Sequence, residues 1–180
     1  MGFGGGSTGL TTPLSFAVEV SVGPETVDDL DLSLNALGRS YSFFTLPVVN
    51  IVYKITGIEW KNGAVVAGNV IAGLDVIESV APTNTHLPLR YLAKATAQAG
   101  ANAVQRVSFD GPFLKGGSVI ASWITSNNAA GLFRKATGTP NVNRFKATAY
   151  TATPATADNA AWATSTDYFY QKIYMIGLSG

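Results

Sequence analysis

Residues Leu14–Val22, LSFAVEVSV, alternate: Leu14, Phe16, Val18 and Val20 fall on one side and Ser15, Ala17, Glu19 and Ser21 on the other. A period of two over this length predicts a half-buried strand. Gly23-Pro24 ends it. In TVDDLDLSLNALG, Leu30, Leu32 and Leu34 alternate again, while the acidic start and Gly38 also suit the two ends of a short helix. The alternation favours a strand. Tyr41–Trp60 is aromatic and β-branched, which suits a pleated surface, and Pro47 splits it because proline cannot donate to a ladder. Asn62-Gly63 is the strongest short-range hairpin signal, since both residues tolerate the positive φ of a type I′ turn. It predicts a return strand from Ala64 to about Ile77, with Gly68 and Gly73 marking bulges or bends.

One helix is predicted. In THLPLRYLAKATAQAG, Thr85 suits a cap, Pro88 a first turn and Gly100 a C-terminal stop, with Leu89, Leu92, Ala93 and Thr96 on one face. An extended Ala/Thr segment is the competing assignment. Strand signals resume at AVQRVSF and GGSVIASWITS, separated by Asp110-Gly111-Pro112, and Trp123 falls mid-strand, where a core position is expected. RFKATAYTA and DYFYQKIYMIGL follow, with a loop over TPATADNAAWATST between them. The last strand, Tyr168–Leu178, shows no clean alternation, as expected of a central strand covered on both faces. Several strands separated by turn signals predict an all-β sandwich or barrel with at most one short helix.

Composition narrows the partners. The chain has 180 residues, enough for one domain, read as a flexible glycine-rich arm over residues 1–12 and a single β-sandwich domain over 13–180. Charged residues are only 13% of the chain against 47% hydrophobic, about half the usual charged share. A surface so poor in charge is covered by Ser, Thr, Asn and backbone, or by another protein. The balance of 12 basic to 11 acidic residues gives no basic stripe, so no nucleic-acid partner is expected. The densest basic stretch, Arg134-Lys135 to Arg144 and Lys146, reads as solvated charge. No run of about 18 apolar residues predicts a membrane span. MGFGGGSTGLTTP has neither the basic start nor the apolar core of a signal peptide, and it misses the myristoylation pattern.

Candidate chemistry is sparse. There is no cysteine, which removes disulfides and thiolate metal sites, and His86 is the one histidine. No Gly-x-Ser-x-Gly elbow is present, and neither GFGGGSTG nor LKGGSV has the Gly-Lys-Ser/Thr ending of a phosphate loop. Glu59, Asp75 and Glu78 offer a carboxylate pair for glycoside hydrolysis, but acids beside turns are ordinary. ETVDDLDLS is the densest oxygen source, making Asp28, Asp29 and Asp31 the calcium candidates, without an EF-hand pattern. Trp60 beside a turn and Trp162 in a loop are the surface-recognition candidates. No catalytic residue and no cofactor are expected, so the chain reads as non-enzymatic.

The glycine-rich residues 1–12, the bent hairpin around Asn62-Gly63 and the Ala/Thr-rich strands from Ala103 onward together resemble single jelly-roll virion proteins. Phages and other viruses use these as capsid, decoration or fibre-head subunits. The resemblance implies a jelly-roll-like antiparallel sandwich in a virion or extracellular particle. It also implies trimers or larger symmetric homo-oligomers, contacts with other particle proteins, and loops that meet a glycan or cell-surface receptor. It contains no motif onto which site residues can be carried. The alternative is a carbohydrate-binding module or lectin-like sandwich, with Trp60 and Trp162 as stacking residues.

Overall fold

The computed structural model describes residues 18–34, 38–47, 50–77, 88–136, 143–147, 163–164 and 169–178. Within them the chain is all-β, every strand pairing is antiparallel, and there is no helix. The first sheet runs β1 (Glu19–Val22), β13 (Gln171–Leu178), β4 (Val52–Lys61), β7 (Val104–Ser108), with β8 (Phe113–Lys115) pairing the other end of β4. The second sheet runs β12 (Ala163–Thr164), β11 (Asn143–Ala147), β3 (Gly38–Thr45), β9 (Val119–Ser126), β5 (Asn69–Ile77), β6 (Pro88–Ala97). A two-stranded ribbon, β2 (Val27–Ser33) with β10 (Leu132–Ala136), completes the described strands.

The main core lies between the two sheets. Ile55, Ile58, Trp60, Ile173 and Met175 of the first sheet meet Phe44, Val70, Leu74, Ile120 and Ile124 of the second. This is sandwich packing driven by apolar burial. One polar link crosses it: the Ser122 hydroxyl donates to Gln171 Oε1 at 2.8 Å, and Gln171 Nε2 donates to the Ser40 carbonyl at 3.4 Å. Tyr41, Phe43, Ile71, Ala121 and Trp123 form a second cluster on the opposite face of the second sheet. That is why β5 and β9 are buried on both sides and read as continuous apolar runs.

Two expected elements are overturned. Asn62-Gly63 does not make a hairpin: β4 lies between β13 and β7 in the first sheet, and β5 lies between β9 and β6 in the second. The dipeptide begins a crossover between sheets, and neither residue has positive φ. Tertiary contacts outweigh its turn propensity. A Cβ on Gly63 would stand 2.5 Å from Asp31 Oδ1 and 2.8 Å from Leu132 Cβ, so glycine serves close packing there. The predicted helix is likewise absent over 88–97, which form β6 and pair with β5; Thr85 and His86 lie outside the described residues. Gly100 does adopt φ +79, but in the turn from β6 to β7.

Other expectations fare better. Pro47 separates β3 from β4, residues 27–33 are a strand, and Trp123 is fully buried. Gly68, with φ +73, is a bend before β5. Gly73 marks no bulge: it lies opposite Trp123 in unbroken register, and the indole occupies the space of its missing side chain. Val18 and Val20, expected to face inward, are exposed at β1, the end of the described strand order of the first sheet. β13 is interior to its sheet, yet only its inner face is fully covered.

Candidate functional site

The densest polar constellation stands on the outer face of the first sheet. Alternation sends Gln171, Ile173 and Met175 of β13 inward, leaving Lys172 and Tyr174 outside, with Tyr170 just before the strand. In neighbouring strands, Glu59 of β4 lies between Lys172 and Arg106 of β7, and Gly57 lies between Tyr174 and Ser108. β13 and β4 lose register here, with Thr56 the extra residue opposite the Tyr174-Met175 step.

Arg106 crosses this face to reach Glu19 on β1, two strands beyond its neighbour β4 in the sheet order. Its path runs over Gly57, where a Cβ would meet Arg106 Nε at 2.6 Å. The guanidinium lies 4.0 Å from the centre of the Tyr174 ring. It then donates two hydrogen bonds to Glu19, from Nη1 to Oε2 at 2.9 Å and from Nη2 to Oε1 at 2.6 Å. The Thr56 hydroxyl donates to the same carboxylate. Glu59, nearly buried, accepts from Tyr170 at 3.1 Å and from Tyr174 at 2.6 Å. Lys172 pairs with Glu25 at 3.3 Å and sits over the Tyr170 ring.

The titration behaviour follows. The Arg106 and Thr56 hydrogen bonds hold the Glu19 carboxyl at about 2, against an ordinary 4.5. The hydrogen bond to Glu59 pushes the Tyr174 phenol up to about 12, and burial pushes Tyr170 up further. Because the folded-state value for Glu19 is depressed, its stabilising contribution is complete above about 4.5 and is lost as pH falls toward 2. The pair is partly exposed, so Glu19→Gln is expected to lose about 0.5–1 kcal/mol at pH 6. Urea midpoints of the two proteins are expected to converge between pH 4.5 and 2. A gap that stays constant over that interval would show that the clamp does not form.

As chemistry, this face is an internally compensated lattice. One guanidinium serves Glu19, and two phenols serve both oxygens of Glu59. The arrangement ties four strands together. Sequence reasoning placed Glu19 on an outward face but missed the constellation. The signal it could have used is the period-two run Tyr170-x-Lys172-x-Tyr174.

The sequence candidates are placed elsewhere. Asp28, Asp29 and Asp31 lie on β2, where alternation points Asp28 to the opposite side from the other two. Asp31 accepts from the Ala64 amide at 2.9 Å and pairs with Arg134 Nε at 3.3 Å. Arg134 also donates to the Asp29 carbonyl. A guanidinium thus sits against the calcium candidates, and among the described residues no group of three His, Cys, Asp or Glu can hold a metal. Trp60 is not on the surface: it is fully buried. Trp162 and Glu78 lie outside the described residues, and Asp75 is buried within β5.

Trp60 instead opens a second, buried network. Its indole N–H donates to Asn62 Oδ1 at 3.0 Å, which also accepts from Gln98 at 3.2 Å. Asn62 Nδ2 donates to the carbonyls of Ala99 and Gly100 at 2.7 and 3.2 Å and to Gln105 Oε1 at 3.1 Å. Gln98 continues to the Leu132 carbonyl at 2.8 Å. This network pins the crossover to the β6–β7 turn and to β10. Compared with known proteins, the chain matches no protein-family model and no curated protein.

Proposed function

We propose that this chain is a non-enzymatic structural subunit of a virus particle, built to form symmetric homo-oligomers. The observation that carries the reading is an apolar patch left exposed on the outer face of the first sheet. Phe113 is 59% exposed, Val52 41% and Leu178 37%. They stand on adjoining strands: Val52 lies directly opposite Leu178, and Phe113 opposite Lys54 one step along. A folded chain gains by covering such a patch. The low charged share of the sequence points the same way; the charges beside the patch are Lys54, which stands opposite Phe113 and is paired with Asp110, and Lys115 opposite Val52.

Of the features behind the resemblance to jelly-roll virion proteins, the antiparallel all-β sandwich is present and the Asn62-Gly63 hairpin is not. Burial of Trp60 removes one of the two stacking residues on which the carbohydrate-binding alternative stood. The carboxylates that offered a pair for glycoside hydrolysis fare no better: Glu59 accepts from Tyr170 and Tyr174, and Asp75 is buried within β5. Negative-stain images of concentrated protein are expected to show rings, shells or uniform multi-lobed particles. Fields of dispersed single subunits at high concentration would overturn the proposal.

A further inference from the structure

We propose that β8, at the edge of the first sheet, recognises itself: it pairs antiparallel with β8 of a second copy across a two-fold axis through Phe113. This rests on the assembly reading and names the contact. β8 pairs only with β4, and no described strand lies beyond it. The Ile55 amide donates to the Pro112 carbonyl at 3.1 Å and the Gly116 amide to the Ile51 carbonyl at 2.6 Å, so those residues face β4. Antiparallel alternation then turns the backbone groups of Phe113 outward, together with the Lys115 N–H. An outward-facing ladder flanked by an exposed aromatic ring is an adhesive edge.

The charges around Phe113 make this edge self-complementary. Asp110 precedes it and Lys115 follows it. With Phe113 opposite its own copy, Lys115 comes opposite Gly111 of the second chain and one residue from its Asp110. The Asp110 side chain is 92% exposed and already binds a lysine of its own chain, Lys54, at 2.6 Å. A two-fold axis makes the contact twice, once on each side, and so closes the pair. Val52 and Leu178 continue the apolar surface beside Phe113 on the same face. The strand is short, so the contact is a weak one that works with others in a larger assembly.

The test is a charge reversal read by sedimentation velocity across a concentration series. Asp110→Lys alone puts like charges together at both contacts, as does Lys115→Asp alone. Each is expected to weaken association about tenfold or more. An equimolar mixture of the two variants places every lysine opposite an aspartate and is expected to recover the wild-type mass. Recovery on mixing also shows that both variants are folded. If either single variant associates like wild type, or the mixture stays dissociated, the β8 contact is wrong while the assembly reading stands. A wild-type chain that remains monomeric throughout would overturn both.

Discussion

Asn62→Asp is expected to destabilise the protein by about 3–5 kcal/mol at neutral pH, the range for leaving a charge buried without a partner. The side chain is completely buried, and its amide nitrogen faces three oxygens, those of Ala99, Gly100 and Gln105. A carboxylate has the same shape and leaves no cavity. It replaces two donors with an acceptor pointed at three acceptors, so all the loss is electrostatic. An exposed hairpin turn predicts the opposite result, because Asp-Gly makes a type I′ turn nearly as well as Asn-Gly. Urea denaturation of the two proteins separates these cases. A difference under about 0.5 kcal/mol, the usual size of a surface change, would return Asn62 to a turn and remove the buried network.

Gly73→Ala is expected to cost about 3 kcal/mol, the upper part of the range for overpacking a core. An added Cβ would lie 2.0 Å from Trp123 Cζ2 and 2.2 Å from Cε2. The indole is fully buried and has no exposed side toward which to retreat. Elsewhere in a strand the same change is favourable, since glycine is entropically costly in an extended segment. The sign of the effect is therefore diagnostic. Trp123→Leu is expected to recover part of the loss in the double variant, with a coupling of about 1–3 kcal/mol between the two sites. Additive effects, or a stabilised Gly73→Ala protein, would place the indole elsewhere.

Asn62 and Gly73 show why the sequence was legible in parts. Local pattern served well where one face of a strand meets the core, as at Leu32 and Leu34, though Leu30 of the same alternation is exposed, and also at Trp123 and in the break at Pro47. It failed where a residue answers to a distant partner. Asn62-Gly63 carries a turn signature, but the Asn62 side chain serves residues 98–105 and the Gly63 amide donates to the Leu132 carbonyl, partners that no short window includes. Gly73 reads as a bend because the indole that needs its space lies fifty positions away. Residues 88–97 combine a capping pattern with Ala and Leu, and pairing with β5 overrides both. The outer-face constellation was hidden for the same reason. Glu19, Glu59, Arg106 and Tyr174 come from four strands, and only the order β1, β13, β4, β7 brings them together. The acidic run at Asp28–Asp31 showed the reverse error: closeness in sequence suggested a shared ligand, while alternation and Arg134 divide it.

The claim that this chain is an assembly subunit is tested most directly by its mass in solution, measured by light scattering across a concentration series. A stable trimer or larger symmetric species that persists on dilution is the predicted result. A mass of one 18.8 kDa chain at every concentration would contradict it.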